Sequence, residues 1–274
     1  MGQVFTWEAI RDNDIPRIES FNEVIQLVKG SMAEQASILG AVACGSVIRG
    51  DHTIRSDLDC FVLYDVGQEH AAFTYMQKMA ALAESRAVPL YFLPCDSWLA
   101  QIGMHHVGTS FQRHLRASAD AGGLLKGDPL PALAQSVPEW EELTGYIRVK
   151  MYTLQEGWGR VHTFSDEQAV AYLKKLLEAP MHIARKTLAC FGPLQGDSKA
   201  HILSEYRKTF PTPMGVELDH LVEQDALYTE ALIEQIERPH EREYRELLHH
   251  MMNLSEDVLR FIRANLAFIV TVPR

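Results

Sequence analysis

The stretch GSVIRGDHTIRSDLDCFVLYD, residues 45–65, decides the fold. It opens on a Gly45-Ser46 turn and reaches a second glycine at Gly50. After five intervening residues comes Ser56-Asp57-Leu58-Asp59, which leads into a run of β-formers. Just upstream, SILGAVAC (37–44) is a short apolar segment ended by Gly45. The pattern is therefore strand, turn, loop, strand.

Side chains alternate along a strand, so Asp57 and Asp59 share one face and Leu58 takes the other. Two carboxylates at the start of a buried strand repel each other unless a cation bridges them. Hard oxygen donors at this spacing suit Mg2+, whose coordination is commonly completed by substrate phosphates. Gly45 allows a backbone turn that other residues resist, and Ser46 adds a hydroxyl beside exposed amides. Gly50 lets the loop fold back so that turn and carboxylates face each other. An isolated Asp-x-Asp pair is usually just a pair of strand-end charges. The whole pattern, turn included, is far more restrictive and points to a phosphate-gripping, metal-holding site.

Elsewhere, PRIESFNEVIQLVKGSMAEQ (16–35) and EHAAFTYMQKMAALAESR (69–86) read as helices. AVPLYFLP (87–94) reads as a third strand, whose Pro89 and Pro94 suggest edge pairing. GGLLKGDPLP (122–131) reads as one more short strand running into a turn. After Pro138 the texture turns helical in four long stretches beginning at Glu139, Ser165, Gly215 and His240. Ser165 with Gln168 forms a capping-box signature, and Gly192-Pro193 ends the second stretch. The expected organisation is α+β, with a mixed-sheet domain over 1–135 and an all-α helical bundle over 136–274.

The 274 residues are 47% hydrophobic and 23% charged, with a net charge of −10. That balance suits a globular chain with ample core material and argues against a broad nucleic-acid surface. No apolar run is long enough for a membrane span, and MGQVFTWEAIRDNDIPRIE (1–19) has no leader-like apolar core. The cysteines Cys44, Cys60, Cys95 and Cys190 have no CxxC or CxxH spacing, so free thiols and a cytoplasmic location are expected. The pairs His105-His106 and His249-His250 lack ligand-like neighbours, so zinc is not expected.

The Gly-Ser and Asp-x-Asp arrangement over 38–65 resembles the signature of the polymerase β-like nucleotidyltransferase superfamily. Within it, the chain looks most like the aminoglycoside (streptomycin/spectinomycin-type) adenylyltransferases. SRAVPLYFLPCDSWL falls where that family has its third strand, and LLKGDPLPAL resembles its linker. IARKTLACFGPLQGDSKAHILSEYRKTFP resembles the segment that brings an arginine and a lysine to the nucleotide phosphates. The resemblance implies a mixed-sheet nucleotidyltransferase domain followed by a helical bundle, and AMP transfer from ATP to a hydroxyl of a small-molecule acceptor. It implies that Asp57 and Asp59 hold Mg2+, that Gly45 and Ser46 grip phosphates, and that Arg185 and Lys199 stabilise the leaving pyrophosphate. Arg49, in the turn, is a further phosphate candidate or an exposed surface cation.

One departure stands out. The family supplies a third carboxylate from the strand here reading AVPLYFLP, as general base, and the matching position is Pro89. Asp96, Glu139, Glu141 and Glu142 are the candidate replacements. The departure keeps two alternatives open, a nucleotide-binding regulator with degenerate catalysis and a transferase acting on a protein side chain. Arg245 and His250 also fit the R-x4-H spacing of HEPN ribonucleases, a coincidence expected in a chain with this many histidines and arginines.

Overall fold

The structure is a computed structural model. It describes residues 18–52, 56–105, 107–134, 139–192, 194, 196, 198–210, 213–236 and 241–271. The side chains of 139, 166, 167, 170, 226–236 and 241–250 are not described. The polar start before residue 18, His106, residues 135–138 and Pro193 lie outside the described residues, as do the side chains of Glu139, Arg245, His249 and His250. The chain divides into two compact units that separate at Glu139 and Trp140.

The first unit runs α1 (Ile18–Met32), β1 (Ile38–Cys44), α2 (Ser46–Arg49), β2 (Leu58–Tyr64), α3 (Glu69–Glu84) and β3 (Leu90–Asp96). Two helices follow, α4 (Ser97–Gln101) and α5 (Thr109–Ser118), and then β4 (Leu124–Lys126). The strands form one mixed sheet in the order β3-β2-β1-β4. β1 pairs antiparallel with both β2 and β4, and β2 pairs parallel with β3.

Both faces of the sheet are covered, which is why β1 and β2 read as nearly continuous apolar runs. Leu58, Cys60 and Val62 join one core with Phe21, Val24 and Val28 of α1 and Met76 and Met79 of α3. Phe61 and Leu63 join a second core with Val42, Cys95, Val107 and Leu115. The strand thus alternates strictly between two buried faces. Burial of this kind contributes roughly 25 cal/mol per Å² of apolar surface.

β3 begins three residues later than the sequence expectation. Ala87 adopts φ 54°, and the Val88 N–H reaches back to Ala83 O at 3.0 Å, so these residues close α3 instead. Pro94, paired with Val62, is tolerated because β3 is an edge strand.

The second unit is helical: α6 (Glu139–Arg160), α7 (Asp166–Ala189), α8 (Lys199–Thr209), α9 (Met214–Ile236) and α10 (Glu241–Thr271). Its core gathers Leu154, Tyr172, Leu173, Leu176, Tyr206, Phe261 and Ile262. Two of its phenols are matched: Tyr206 donates to Asn265 Oδ1 at 2.8 Å, and Tyr172 donates to Leu154 O at 2.9 Å. Among the described residues, no helix is long and apolar enough to cross a membrane.

Candidate active site

The site is built where β1 hands over to β2. Gly45 follows the last residue of β1 and adopts φ 91°, ψ −164°, a conformation essentially reserved for glycine. A Cβ placed on it would stand 3.4 Å from Asp59 Oδ2. The turn therefore faces the carboxylate with an open place where any other residue would carry a side chain. After the single turn of α2, Gly50 reverses the chain at φ 78°, ψ 13°, and the Asp51 N–H closes back on Ser46 O at 3.1 Å.

Two side-chain contacts fix the loop. Ser46 donates its hydroxyl to Ser56 Oγ at 2.9 Å, tying the turn to the residue just before Asp57. Arg49 pairs with Asp51, its Nη2 lying 3.1 Å from Oδ1, with both side chains largely shielded. Arg49 is thus neither exposed nor purely a surface charge, because it braces the loop that carries Ser56. The role of Ser56 is missing from the sequence reading. Its signal was present as a second serine ahead of the carboxylates.

Asp57 precedes β2 and Asp59 lies within it, while Leu58 points into the opposite core. Cys44 is in register with Asp59 on the neighbouring strand. Its thiol is held well above the usual range, first by burial and then by the Asp59 charge, with Arg49 opposing and Asp57 adding to the rise. Three charged groups named by the sequence are therefore felt at one point on the sheet.

On the other side of β2, the Leu58 N–H donates to Pro89 O at 2.8 Å, and Tyr91 is in register with Asp59. Pro89, just before β3, and Tyr91, within it, therefore stand level with the carboxylate pair.

Asp96 is excluded as a substitute base. It sits five residues beyond Tyr91, about 16 Å along the strand. Its Oδ1 caps α4, accepting from Trp98 N at 2.7 Å and Leu99 N at 2.9 Å.

The remaining predicted residues belong to the helical unit. Glu142 pairs with Lys186 at 3.8 Å. Arg185 lies near the end of α7, and Lys199 is the first residue of α8, whose Ser198 cap accepts from the His201 N–H at 3.3 Å. The structure brings Gly45, Ser46, Arg49, Asp57 and Asp59 together in the first unit. Arg185 and Lys199 are carried by the second.

No curated protein matches this chain. Residues 25–97, which span most of α1, the glycine-serine turn, both carboxylates and β3, match the family model described as Nucleotidyltransferase domain, so the first unit carries a nucleotidyltransferase domain.

Proposed function

We propose that the protein is a Mg2+-dependent nucleotidyltransferase that moves AMP from ATP to a hydroxyl of a small molecule. The observation that carries this reading is the closeness of Gly45 to Asp59 Oδ2, which leaves a cradle between the turn and a carboxylate. Two carboxylates on one strand face are the donor set that Mg2+ takes when phosphates and water complete its shell. Asp57 and Asp59 would hold the ion, which when bound neutralises phosphate charge and polarises the P–O bond. The backbone amides at Gly45 and Ser46 would orient the β- and γ-phosphates. Arg185 and Lys199 would steady the pyrophosphate as it leaves. The acceptor oxygen bonds to the α-phosphorus, the bond from that phosphorus to the bridging oxygen breaks, and the hydroxyl proton passes to solvent or a base.

The test is a calorimetric titration of Mg-ATP into the parent and into the Asp57→Asn/Asp59→Asn double variant. The variant is expected to lose binding while remaining folded, since removing two mutually repelling charges relieves the apo protein. Unchanged affinity would overturn the metal assignment. Arg185→Ala and Lys199→Ala should weaken ATP much more than AMP, each by about 1.5–3 kcal/mol.

A second reading is favoured by Pro89, at the entry to β3, and Tyr91, within it, which stand beside the carboxylates. In that reading the chain binds a nucleotide and regulates through it without turnover. Pyrophosphate release across a panel of polyols and aminoglycosides separates the two: measurable turnover supports the transferase, and tight Mg-ATP binding without turnover supports the regulator.

A further inference from the structure

Helix α6 has two faces of opposite character. Leu143, Ile147 and Leu154 are buried, the last two in the core of the helical unit. The opposite face carries Val149, 65% exposed, and Tyr152, 66% exposed. Three residues apart, they are neighbours on the helix surface.

The same face holds two glycines that packing within the chain does not explain. Of the three glycines in α6, Gly157 is required, because a Cβ there would stand 2.3 Å from the Tyr172 ring. At Gly145 and Gly159 nothing among the described residues lies within 4 Å of where a Cβ would be, and neither has a positive φ. Glycine inside a helix lowers its stability relative to other residues. Both glycines therefore weaken α6 without easing a contact inside the unit. What they do provide is a surface that a second backbone can approach closely.

These positions are symmetric about Tyr152. Arg148 and Glu156 lie four residues before and after it, and Gly145 and Gly159 lie seven before and after. Four and seven residues are close to one and two helical turns, so all of them share the exposed face. A second copy of α6 laid antiparallel across Tyr152 meets the first in register. Arg148 then faces Glu156 of the partner subunit, and Gly145 faces Gly159 of the partner subunit. This is the self-complementarity that a two-fold interface demands. Glu156 meets Arg160 of its own chain at 3.5 Å, both side chains exposed, and its carboxylate can accept from a second cation. Tyr152 leans toward the N-terminus of its own helix, the direction in which Gly159 of the partner subunit leaves room. Each copy carries a net charge of −10, so approach is opposed unless opposite charges are matched locally.

We infer that the outer face of α6 is a homodimer interface, occupied by α6 of a second copy packed antiparallel across Tyr152. The helix has 22 residues and is about 33 Å long. One helix face buries less than the roughly 800 Å² per partner of a standard interface, so the dimer is weak. Its dissociation constant is expected at about 10–100 μM.

The test is sedimentation velocity of the full chain from about 5 to about 500 μM, a range that brackets this constant. A concentration-dependent monomer–dimer equilibrium is expected. Arg148→Glu and Glu156→Arg each set like charges against each other and should weaken the dimer by about tenfold or more. The Arg148→Glu/Glu156→Arg double reversal should restore it to within about threefold of the parent. A second variant, Gly145→Gln/Gly159→Gln, should move two readouts in opposite directions: a higher urea midpoint for the monomer and a weaker dimer. Mg-ATP titration of the single reversals should match the parent, so the result is separable from the fate of the nucleotide site. A chain that stays monomeric across the range overturns the inference. So does a dimer indifferent to the single reversals, or one that the double reversal fails to restore.

Discussion

Gly45 carries two constraints at once, a backbone conformation and a clearance. At φ 91°, ψ −164°, a side chain costs about 1–3 kcal/mol in backbone strain. The 3.4 Å gap to Asp59 Oδ2 is ordinary contact distance, so a methyl group there adds little steric penalty but fills the cradle. Gly45→Ala is therefore expected to lower stability by that amount in urea unfolding and to weaken Mg-ATP binding as well. Loss of stability with unchanged nucleotide affinity would detach the turn from the site. Pro89 gives the converse experiment. Its carbonyl already accepts from Leu58 N–H, a backbone bond that any residue can keep, so Pro89→Glu adds a carboxylate beside Asp57 without removing that bond. A faster release of pyrophosphate is expected, because general-base help contributes about 100- to 10,000-fold. Nucleotide affinity measured in the same variant separates a chemical effect from a distorted strand.

Among the elements, those with strong local signals were legible in the sequence. Ser165 and Gln168 form the capping box they spell: the Ser165 N–H donates to Gln168 Oε1 at 3.0 Å, and the Gln168 N–H donates to Ser165 Oγ at 3.4 Å. β2 was legible because its alternation meets an apolar core on each face, and β3 because Pro94 fits only an edge. Helix α5 was not read, since TSFQRHLRAS buries little more than Leu115, Ser118 and part of Phe111. α8 was seen only as part of a longer resemblance, because its stripe is just Ile202 and Tyr206. The site was legible where chemistry and spacing coincide, at Gly45, Asp57 and Asp59. It was illegible where it depends on register, as with Tyr91, or on a tertiary hydroxyl contact, as with Ser56. The two caps make matched predictions. Ser165→Ala and Asp96→Ala should each cost about 1 kcal/mol in urea unfolding, as lost N-caps do. Asp96→Ala should leave Mg-ATP affinity unchanged, since it removes a cap of α4 at the far end of β3 from the level of Asp59. A drop in affinity in that variant would return Asp96 to the site.

At the scale of the whole molecule, burial acts in one direction on most of the acidic protons it encloses. Cys44, Cys60, Cys95 and Cys190 are free thiols, and burial is the largest cause that raises each of them. Cys95 and Cys190 are pushed up to about 11 from 9.0, and Cys44 and Cys60 rise further. Tyr64, Tyr75, Tyr146, Tyr172 and Tyr206 are raised from 10.0 for the same first reason, Tyr146 to about 12. In each case the folded chain holds a proton that the unfolded chain releases sooner. The associated stability is complete below pH 9, where both states keep their thiol protons, and drains as pH climbs from there through the raised folded values. Lys150 opposes this trend, because its lowered pKa means that losing its proton relieves a buried charge. One lysine is set against four thiols and five tyrosines, so the net slope above pH 9 is downward. Urea midpoints should therefore be level between pH 7 and 8 with respect to these groups and fall continuously from pH 9 upward. A midpoint that holds or rises between pH 9 and 11 would show that these thiols and phenols are solvated in solution rather than held protonated by burial.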